Sequence, residues 1–273
     1  MNTEHYAVIG NPIAHSKSPQ IHSHFSAQTR QNMDYVRLLA PLDGFKQSVL
    51  DFRAQGGKGM NVTVPFKLEA YALADELSPR ARRAGAVNTL IFHADGRIVG
   101  DNTDGIGLVR DLHHHGVALQ DADILILGAG GAVRGVLAPL LEEKPARIVI
   151  ANRSADKAQQ LATDFADLGI AVQACSYAEL QGQSFDIIIN GTSASLSGEL
   201  PPLPHNLLRT GGVGYDMAYG KEPTPFQRWS AEQGASQALD GLGMLLEQAA
   251  ESFYLWRGVC VDTRDLREEL RRG

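Results

Sequence analysis

Cysteine is nearly absent from this 273-residue chain: Cys175 and Cys260 are the only two and stand 85 positions apart. So few thiols build neither a disulfide framework nor a zinc pair, and a reducing cytoplasm suits them best. Long hydrophobic runs are missing too, since no segment approaches the ~20 apolar residues that span a bilayer. The first residues lack the cationic region and apolar run of a targeting signal. Positive charge is not in excess, with 25 Lys and Arg against 31 Asp and Glu for a net charge of −6. That balance argues against nucleic acid or a membrane surface as the main partner, while leaving room for a local basic pocket. Repeats and low-complexity tracts are also lacking. His113, His114 and His115 are consecutive, so they point in different directions around a helix end. Without cysteine or carboxylate ligands at helical spacing they read as a solvated terminus, and no metal is expected.

What is present is enough apolar residue, 44 % of the total, for real cores, at a length that favours two domains over one. The most informative stretch runs from Ile124 to Gly135. Ile124 to Leu127 form an uninterrupted apolar run, as in a parallel strand covered on both faces, and Gly128 marks its end. Val133, Val136, Leu137, Leu140 and Leu141 then fall on one helical face, ending before Pro145. Strand, glycine turn and helix place unpaired N–H groups where a pyrophosphate can approach. Gly128 and Gly130 fit the dinucleotide fingerprint, whereas its third small position holds Val133. A plain βα connection that uses glycine for tight packing is the alternative.

Arg147 to Ala151 read as the next strand, and Asn152-Arg153-Ser154 opens another helix. An NAD-binding unit usually carries an acid at that strand end; this one carries Arg153, with Lys157 a turn later. Two cations suit a 2′-phosphate and so favour NADP. The alternative is a solvated helix start, although cations at a helix N-terminus oppose its dipole. Further strands are expected near Ala171, over Asp186 to Asn190 and over Val213 to Met217. Thr224-Pro225 starts a helix that Gly234 ends. A long helix follows Asp240-Gly241-Leu242-Gly243-Met244, with Leu242, Leu245, Leu246, Ala249, Phe253 and Trp256 on its apolar stripe.

Ahead of this unit, the pattern predicts a strand from His5 to Gly10, a helix entered at Ser18-Pro19 with Ser18 as N-cap, a strand over Tyr35 to Leu39 and a helix over Leu42 to Ala54 that the glycines at 56–59 end. Ser16 and Ser18 either grip a polyol or cap and turn the chain. Met60 to Lys67 reads as a buried strand whose end delivers Thr63 and Lys67, though a single lysine after a strand is usually a surface charge. Asn88, in an expected strand over Gly85 to Leu90, is either a structural bridge or a ligand contact. Gly100 to Gly105 form a polar knot before a helix beginning near Ile106. Capping explains one of Asp101 and Asp104 but need not explain both.

In order along the chain, Asn11-Pro12-Ile13-x-His15-Ser16-x-Ser18-Pro19, Asn61-Val62-Thr63-x-Pro65-x-Lys67, Gly85-Ala86-Val87-Asn88-Thr89, Asn102-Thr103-Asp104-Gly105, the Gly128 turn, Asn152-Arg153-Ser154 and Asp240-Gly241-Leu242-Gly243-Met244 closely resemble shikimate dehydrogenases, from Tyr6 to about Gly258. The resemblance implies an α/β fold: an N-terminal α/β substrate domain over residues 1–103, a Rossmann-like NADP-binding domain over 104–239 and C-terminal helices, 240–273, that return to the first domain. It implies reversible NADP-linked interconversion of 3-dehydroshikimate and shikimate, on the way to chorismate and the aromatic amino acids, by a monomer or homodimer. Lys67 and Asp104 would then be the acid/base pair. Ser16, Ser18, Thr63, Asn88, Tyr219 and Gln248 would hold the substrate. Gly128, Ala129, Gly130, Gly131 and Ala132 would hold the pyrophosphate, and Asn152, Arg153, Ser154 and Lys157 the adenosine phosphate. Met217 and Gly241 would lie near the nicotinamide. Asn102 is assigned no more than orientation of the pair.

Small departures stand at Ser23, Ser154 and Gly191, where many relatives carry other residues. A relative that also oxidises quinate, often with NAD, tends to carry an acid shortly after the Asn-Arg dipeptide, where this chain has Ala155 and then Asp156. From other classes, a non-catalytic nucleotide sensor would not need Lys67 and Asp104, and a methyltransferase would prefer an acid in place of Asn152-Arg153.

Overall fold

The computed structural model describes residues 3–272, and the chain divides into two compact units. One runs to Gly107 and resumes at Leu246; the other is Leu108–Leu245.

The first unit alternates β1 (Glu4–Gly10), α1 (Ser18–Thr29), β2 (Met33–Leu39), α2 (Phe45–Ala54), β3 (Gly57–Val62), α3 (Lys67–Leu73), β4 (Glu76–Leu77), α4 (Pro79–Ala84), β5 (Thr89–Phe92) and β6 (Ile98–Asp101). Its sheet has the order β2-β1-β3-β5-β6-β4. β1 pairs in parallel with β2 and β3, and β5 runs antiparallel to β3 and β6. Ala7, Ile9, Met60, Val62, Phe66, Val87 and Leu90 fill one core of this unit, as expected for apolar runs between helices.

Several boundaries differ from the sequence pattern, among them the end of β3, which stops at Val62 so that Lys67 opens α3 instead of ending a strand. α2 begins at Phe45 rather than Leu42 because Pro41 to Gly44 close a turn, the Gly44 N–H donating to the Pro41 carbonyl at 3.0 Å. β3 begins inside the glycine run instead of after it. A β-carbon on Gly57 would lie 2.3 Å from the Phe52 ring and one on Gly59 2.4 Å from Trp256 Nε1, so these glycines are strand residues that permit close packing. Gly85 is the left-handed cap of α4 at φ 62°, a conformation glycine adopts without strain. β5 therefore starts at Thr89 and leaves Asn88 just outside it.

The second unit continues from α5 (Asp104–His114) with β7 (Asp123–Leu127), α6 (Gly131–Glu142), β8 (Arg147–Ala151), α7 (Ala155–Asp164), β9 (Val172–Cys175), β10 (Phe185–Asn190), β11 (Leu208–Asp216), α8 (Pro225–Glu232) and β12 (Gln237–Leu239). All six strands pair in parallel in the order β12-β11-β10-β7-β8-β9. Read from β9, this is the doubly wound order of dinucleotide-binding sheets, with its switch point between β7 and β10. β12, only three residues long, carries no periodic signal in the sequence.

The chain then enters α9 (Leu242–Arg257) and α10 (Arg264–Arg272). Crossings between the units were expected near Thr103 and Leu239. The units divide at 107/108 and 245/246, inside α5 and α9, so each crossing is made by continuous helical backbone rather than by the polar segment before it. From Leu246 on, α9 closes the first unit: Trp256 Nε1 donates to the Leu90 carbonyl at 3.0 Å, and Asn61 Nδ2 donates to Ser252 Oγ at 2.9 Å. No described helix is long and apolar enough to cross a membrane.

Candidate active site

Lys67 is the first residue of α3 and Asp104 the first of α5. Their side chains meet, Lys67 Nζ donating to Asp104 Oδ2 at 2.6 Å. A cation at a helix start is disfavoured by the dipole, so the partner carboxylate supplies the reason for Lys67 being there. With side chains 32 % and 15 % exposed, the pair is shielded but open on one side. That is not a solvated surface charge.

The remaining bonds of Asp104 come from amides. Asn88 Nδ2 donates to Asp104 Oδ1 at 2.8 Å and to Thr103 Oγ1 at 2.9 Å, while Asn88 Oδ1 accepts the Thr103 N–H at 2.9 Å. Gln248 Oε1 lies 3.4 Å from Asn88 Nδ2 and 3.3 Å from Thr103 Oγ1. Asn88 is thus a structural bridge between the acid and α9. Asn102 Oδ1 accepts the Asp104 N–H at 3.1 Å and its Nδ2 donates to the Ala86 carbonyl at 3.1 Å, which orients the acid through its backbone. Asp101 faces a different partner: Arg80 binds it through two nitrogens, at 2.7 and 2.8 Å, and also reaches Glu251 at 2.8 Å. Neither acid is simply a helix cap.

Ser18 was expected to cap α1, and it does not. The N-cap of α1 is Lys17, without a side-chain bond, and Ser18 is the first helical residue. Ser16 Oγ accepts the Ser18 N–H at 3.3 Å, so Ser16 makes the turn and the buried Ser18 hydroxyl is released from it. Pro19 next in line offers no N–H, which leaves the Ser18 N–H as the donor that needs a partner. Arg37 holds this loop from β2, donating to the Ser16 carbonyl from Nε at 3.0 Å and Nη2 at 2.6 Å. Thr63 sits half-buried in the turn after β3, its carbonyl accepting the Phe66 N–H at 3.0 Å.

Behind the site lies a polar network absent from the sequence reading. Tyr35 donates to Asn61 Oδ1 at 2.7 Å, and Asn61 Nδ2 reaches Thr89 Oγ1 at 3.2 Å. The fully buried His22 stacks on Tyr35 at 4.2 Å and 10° and places Nε2 3.2 Å from Asn61 Oδ1. Asn61 Oδ1 is acceptor-only, so Nε2 carries the proton and Nδ1 is left without a hydrogen-bond partner. Burial pushes the His22 imidazole down to about 3. Burial also raises the Tyr35 phenol far above its usual range.

In the second unit the Gly128 turn sits at the switch point. Gly128 adopts φ 105°, and a β-carbon there would approach Thr192 Cγ2 and the Gly191 backbone to 3.2–3.3 Å. Gly130 and Gly131 have open space where a β-carbon would stand, and Gly131, Ala132 and Val133 form the first turn of α6. Ala129 is half-buried beside them. Val133, at the third small position of the fingerprint, is matched by Gly191, whose β-carbon would fall 2.5 Å from Val133 Cγ2. Arg153, Ser154 and Lys157 are exposed around the start of α7. Asn152 Nδ2 donates to the Ser154 carbonyl at 2.9 Å. With open space above Gly130 and Gly131 at the start of α6 and two cations at the end of β8, the residues fit a dinucleotide that carries a 2′-phosphate. Met217 and Gly241 are in contact, the Gly241 position leaving 2.1 Å between a β-carbon and the Met217 carbonyl. Tyr219 is 37 % exposed, and burial of part of its ring raises its phenol.

Comparison with known proteins decides the family. Residues 8–90 match the model of the shikimate dehydrogenase substrate binding domain, 111–197 that of shikimate / quinate 5-dehydrogenase and 241–271 that of the shikimate 5′-dehydrogenase C-terminal domain. The chain belongs to the shikimate dehydrogenase family. The shikimate dehydrogenase (NADP(+)) of Cellvibrio japonicus is 57 % identical over 99 % of this chain and 98 % of its own length. That of Alkalilimnicola ehrlichii is 59 % identical over 94 % of each. Among solved structures, an Ael1 enzyme from Pseudomonas putida superposes with a TM-score of 0.92 at 49 % identity, covering 98 % of both chains. The shikimate 5-dehydrogenase of Thermus thermophilus in complex with NADP(H) and shikimate gives 0.87 at 31 % identity over 99 % of both. As a shikimate dehydrogenase the chain has an N-terminal substrate domain and a Rossmann-like NADP domain, and these relatives do not favour the quinate-oxidising alternative.

Proposed function

We propose that this shikimate dehydrogenase catalyses the reversible NADP-linked reduction of 3-dehydroshikimate to shikimate, with Lys67 and Asp104 as its acid/base pair. The observation that carries the assignment is the 2.6 Å contact between Lys67 Nζ and Asp104 Oδ2, braced by Asn88. Oxidation of a secondary alcohol removes a hydrogen with its electron pair from carbon and a proton from the hydroxyl. NADP, when bound, accepts the hydride. The proton passes to the Lys67–Asp104 pair, whose two side chains are already joined by one hydrogen bond. In reduction the Lys67 ammonium donates a hydrogen bond to the ketone oxygen and returns the proton, general acid catalysis by a positioned group.

Ser16, Ser18, Thr63, Asn88, Tyr219 and Gln248 are proposed to hold the carboxylate and hydroxyls of the substrate. The hydroxyl of Ser18, free of capping, suits that use. Asn88 already serves Thr103 and Asp104, so a substrate oxygen would take the place of its longest contact, the one to Gln248. Gly128, Ala129, Gly130, Gly131 and Ala132 are assigned to the pyrophosphate, Asn152, Arg153, Ser154 and Lys157 to the adenosine phosphate, and Met217 and Gly241 to the nicotinamide. A cytoplasmic location and a monomeric or homodimeric state belong to the same proposal. Initial rates with NADP and NAD, each crossed with shikimate and quinate, test the reading. NADP with shikimate should give the highest kcat/KM, and a preference for quinate or for NAD would overturn it.

A further inference from the structure

Asp216 ends β11 fully buried, has no cationic partner in any described contact, and has no part in the scheme above. Its Oδ1 accepts the Ala218 N–H at 3.0 Å and Asn190 Nδ2 at 3.2 Å. Its Oδ2 accepts the hydroxyls of Ser195 and Thr224, both at 2.6 Å. Each of the four is a neutral donor. The Thr224 hydroxyl is committed in that direction, because its oxygen also accepts the Gln227 N–H at 3.1 Å as cap of α8. Ser195 Oγ likewise accepts Asn190 Nδ2 at 3.1 Å.

An uncompensated buried carboxylate costs stability unless its bonds are complete. This one joins four stretches that are separate in sequence: the end of β10, the turn at Ala194–Ser197, the residues after β11 and the start of α8. Between these contacts the backbone of Met217 and Ala218 is fixed on every side. The Met217 N–H donates to the Asn190 carbonyl at 2.9 Å, the Gly241 N–H donates to the Ala218 carbonyl at 3.0 Å, and Gly241 lies flat against Met217.

We propose that Asp216 is a positioning residue for hydride transfer, holding Met217 and the 192–197 turn in the geometry that the nicotinamide needs. The proposal rests on the assignment of Met217 and Gly241 to the nicotinamide. Burial raises the Asp216 carboxyl and the four hydrogen bonds oppose that rise, so the shell is built around the ionised form.

The test uses the full chain with Asp216→Ala and Ser195→Ala. The second variant removes one 2.6 Å bond from a half-buried turn residue and leaves the α8 cap intact. Both are assayed for kcat, the KM for NADP, melting temperature and the isotope effect on ketone reduction with NADPH deuterated at the transferred position. A displacement of about 1 Å at a reacting centre costs on the order of 100-fold. Asp216→Ala should therefore lose about that factor in kcat and Ser195→Ala a smaller part of it. The KM for NADP should stay within about three-fold, because the pyrophosphate and 2′-phosphate residues are untouched, and the isotope effect should rise as hydride transfer becomes slower. A purely structural role would lower the melting temperature and leave kcat per folded molecule and the isotope effect unchanged; that result would overturn the proposal. If Asp216→Ala does not fold, Ser195→Ala alone decides, by the same readouts. Failure of the wild-type chain to reduce NADP with shikimate would instead remove the functional reading beneath it.

Discussion

Val133 and Gly191 occupy one space: a β-carbon on Gly191 would stand 2.5 Å from Val133 Cγ2 and 3.1 Å from Met217 Sδ. Val133 takes the third small position of the glycine fingerprint, and the missing side chain at Gly191, just after β10, makes room for it. Gly191→Ala should overpack the turn at a cost of about 1–3 kcal/mol. Combining it with Val133→Ala should recover much of that loss. Urea unfolding of the two single variants and the double variant measures the coupling, and a double variant less stable than both singles would disprove the match.

The Lys67–Asp104 pair makes a kinetic prediction. General acid/base groups contribute typically ~10²–10⁴-fold, so Lys67→Ala should lower kcat by about that factor with less change in KM. Asp104→Asn should also be severe. The double variant should be far less damaged than the product of the single effects, because groups acting as a unit are not additive. NADPH binding, followed by fluorescence titration, should survive all three. A Lys67→Ala enzyme with near wild-type kcat would return Lys67 to the surface-charge reading.

Cofactor choice is tested at Arg153. Charge-assisted bonds of ~1.5–3 kcal/mol correspond to roughly 10–150-fold in affinity. Arg153→Ala should lose that factor for NADP and almost nothing for NAD, measured as dissociation constants. Equal losses for both would place the guanidinium elsewhere.

His22 makes acid stability pH-dependent. Burial holds its folded value at about 3, below the 6.5 usual for a histidine, so the unfolded chain binds the proton more readily. The contribution is complete above pH 6.5 and is lost as pH falls toward 3, about 3 kcal/mol of it between pH 6.5 and 4. His22→Phe should flatten that part of the curve of unfolding free energy against pH. An unchanged slope would mean that the imidazole is protonated or solvated in the folded protein.

Much of the fold was legible because its strands are continuous apolar runs with glycine or proline at their ends. Ile124 to Leu127, followed by Gly128 and the Val133 face, needed only periodicity. The proposed acid/base pair was legible as two motifs, Lys67 after β3 and Asp104 after β6, but the distance between them was not. Sequence patterning misplaced Ser18 as a cap because Ser before Pro is a common helix start, whereas the cap is Lys17 and Ser16 turns the chain ahead of it. It passed over Arg80, which binds Asp101 and also Glu251, the latter 171 positions from Arg80, and Asp216, whose four partners come from four segments. Such contacts depend on strand register and helix rotation, which hydrophobic period does not specify. The glycines at 57 and 59 were read as a helix stop for the same reason: the Phe52 and Trp256 rings that require them are unseen until the chain is folded.

Helix α9 also sets an order of assembly. Asn61 and Thr89 find Ser252 at 2.9 and 2.8 Å, and the Leu90 carbonyl finds Trp256 across 166 positions. On a ribosome adding about 5–20 residues per second, the segment that begins first is therefore the one completed last. The nucleotide unit has all its residues once Leu245 is made, while the earlier sheet still waits for the helix that satisfies its polar atoms. The nascent chain is nested like a parenthesis, opened by β1 and closed only by α9.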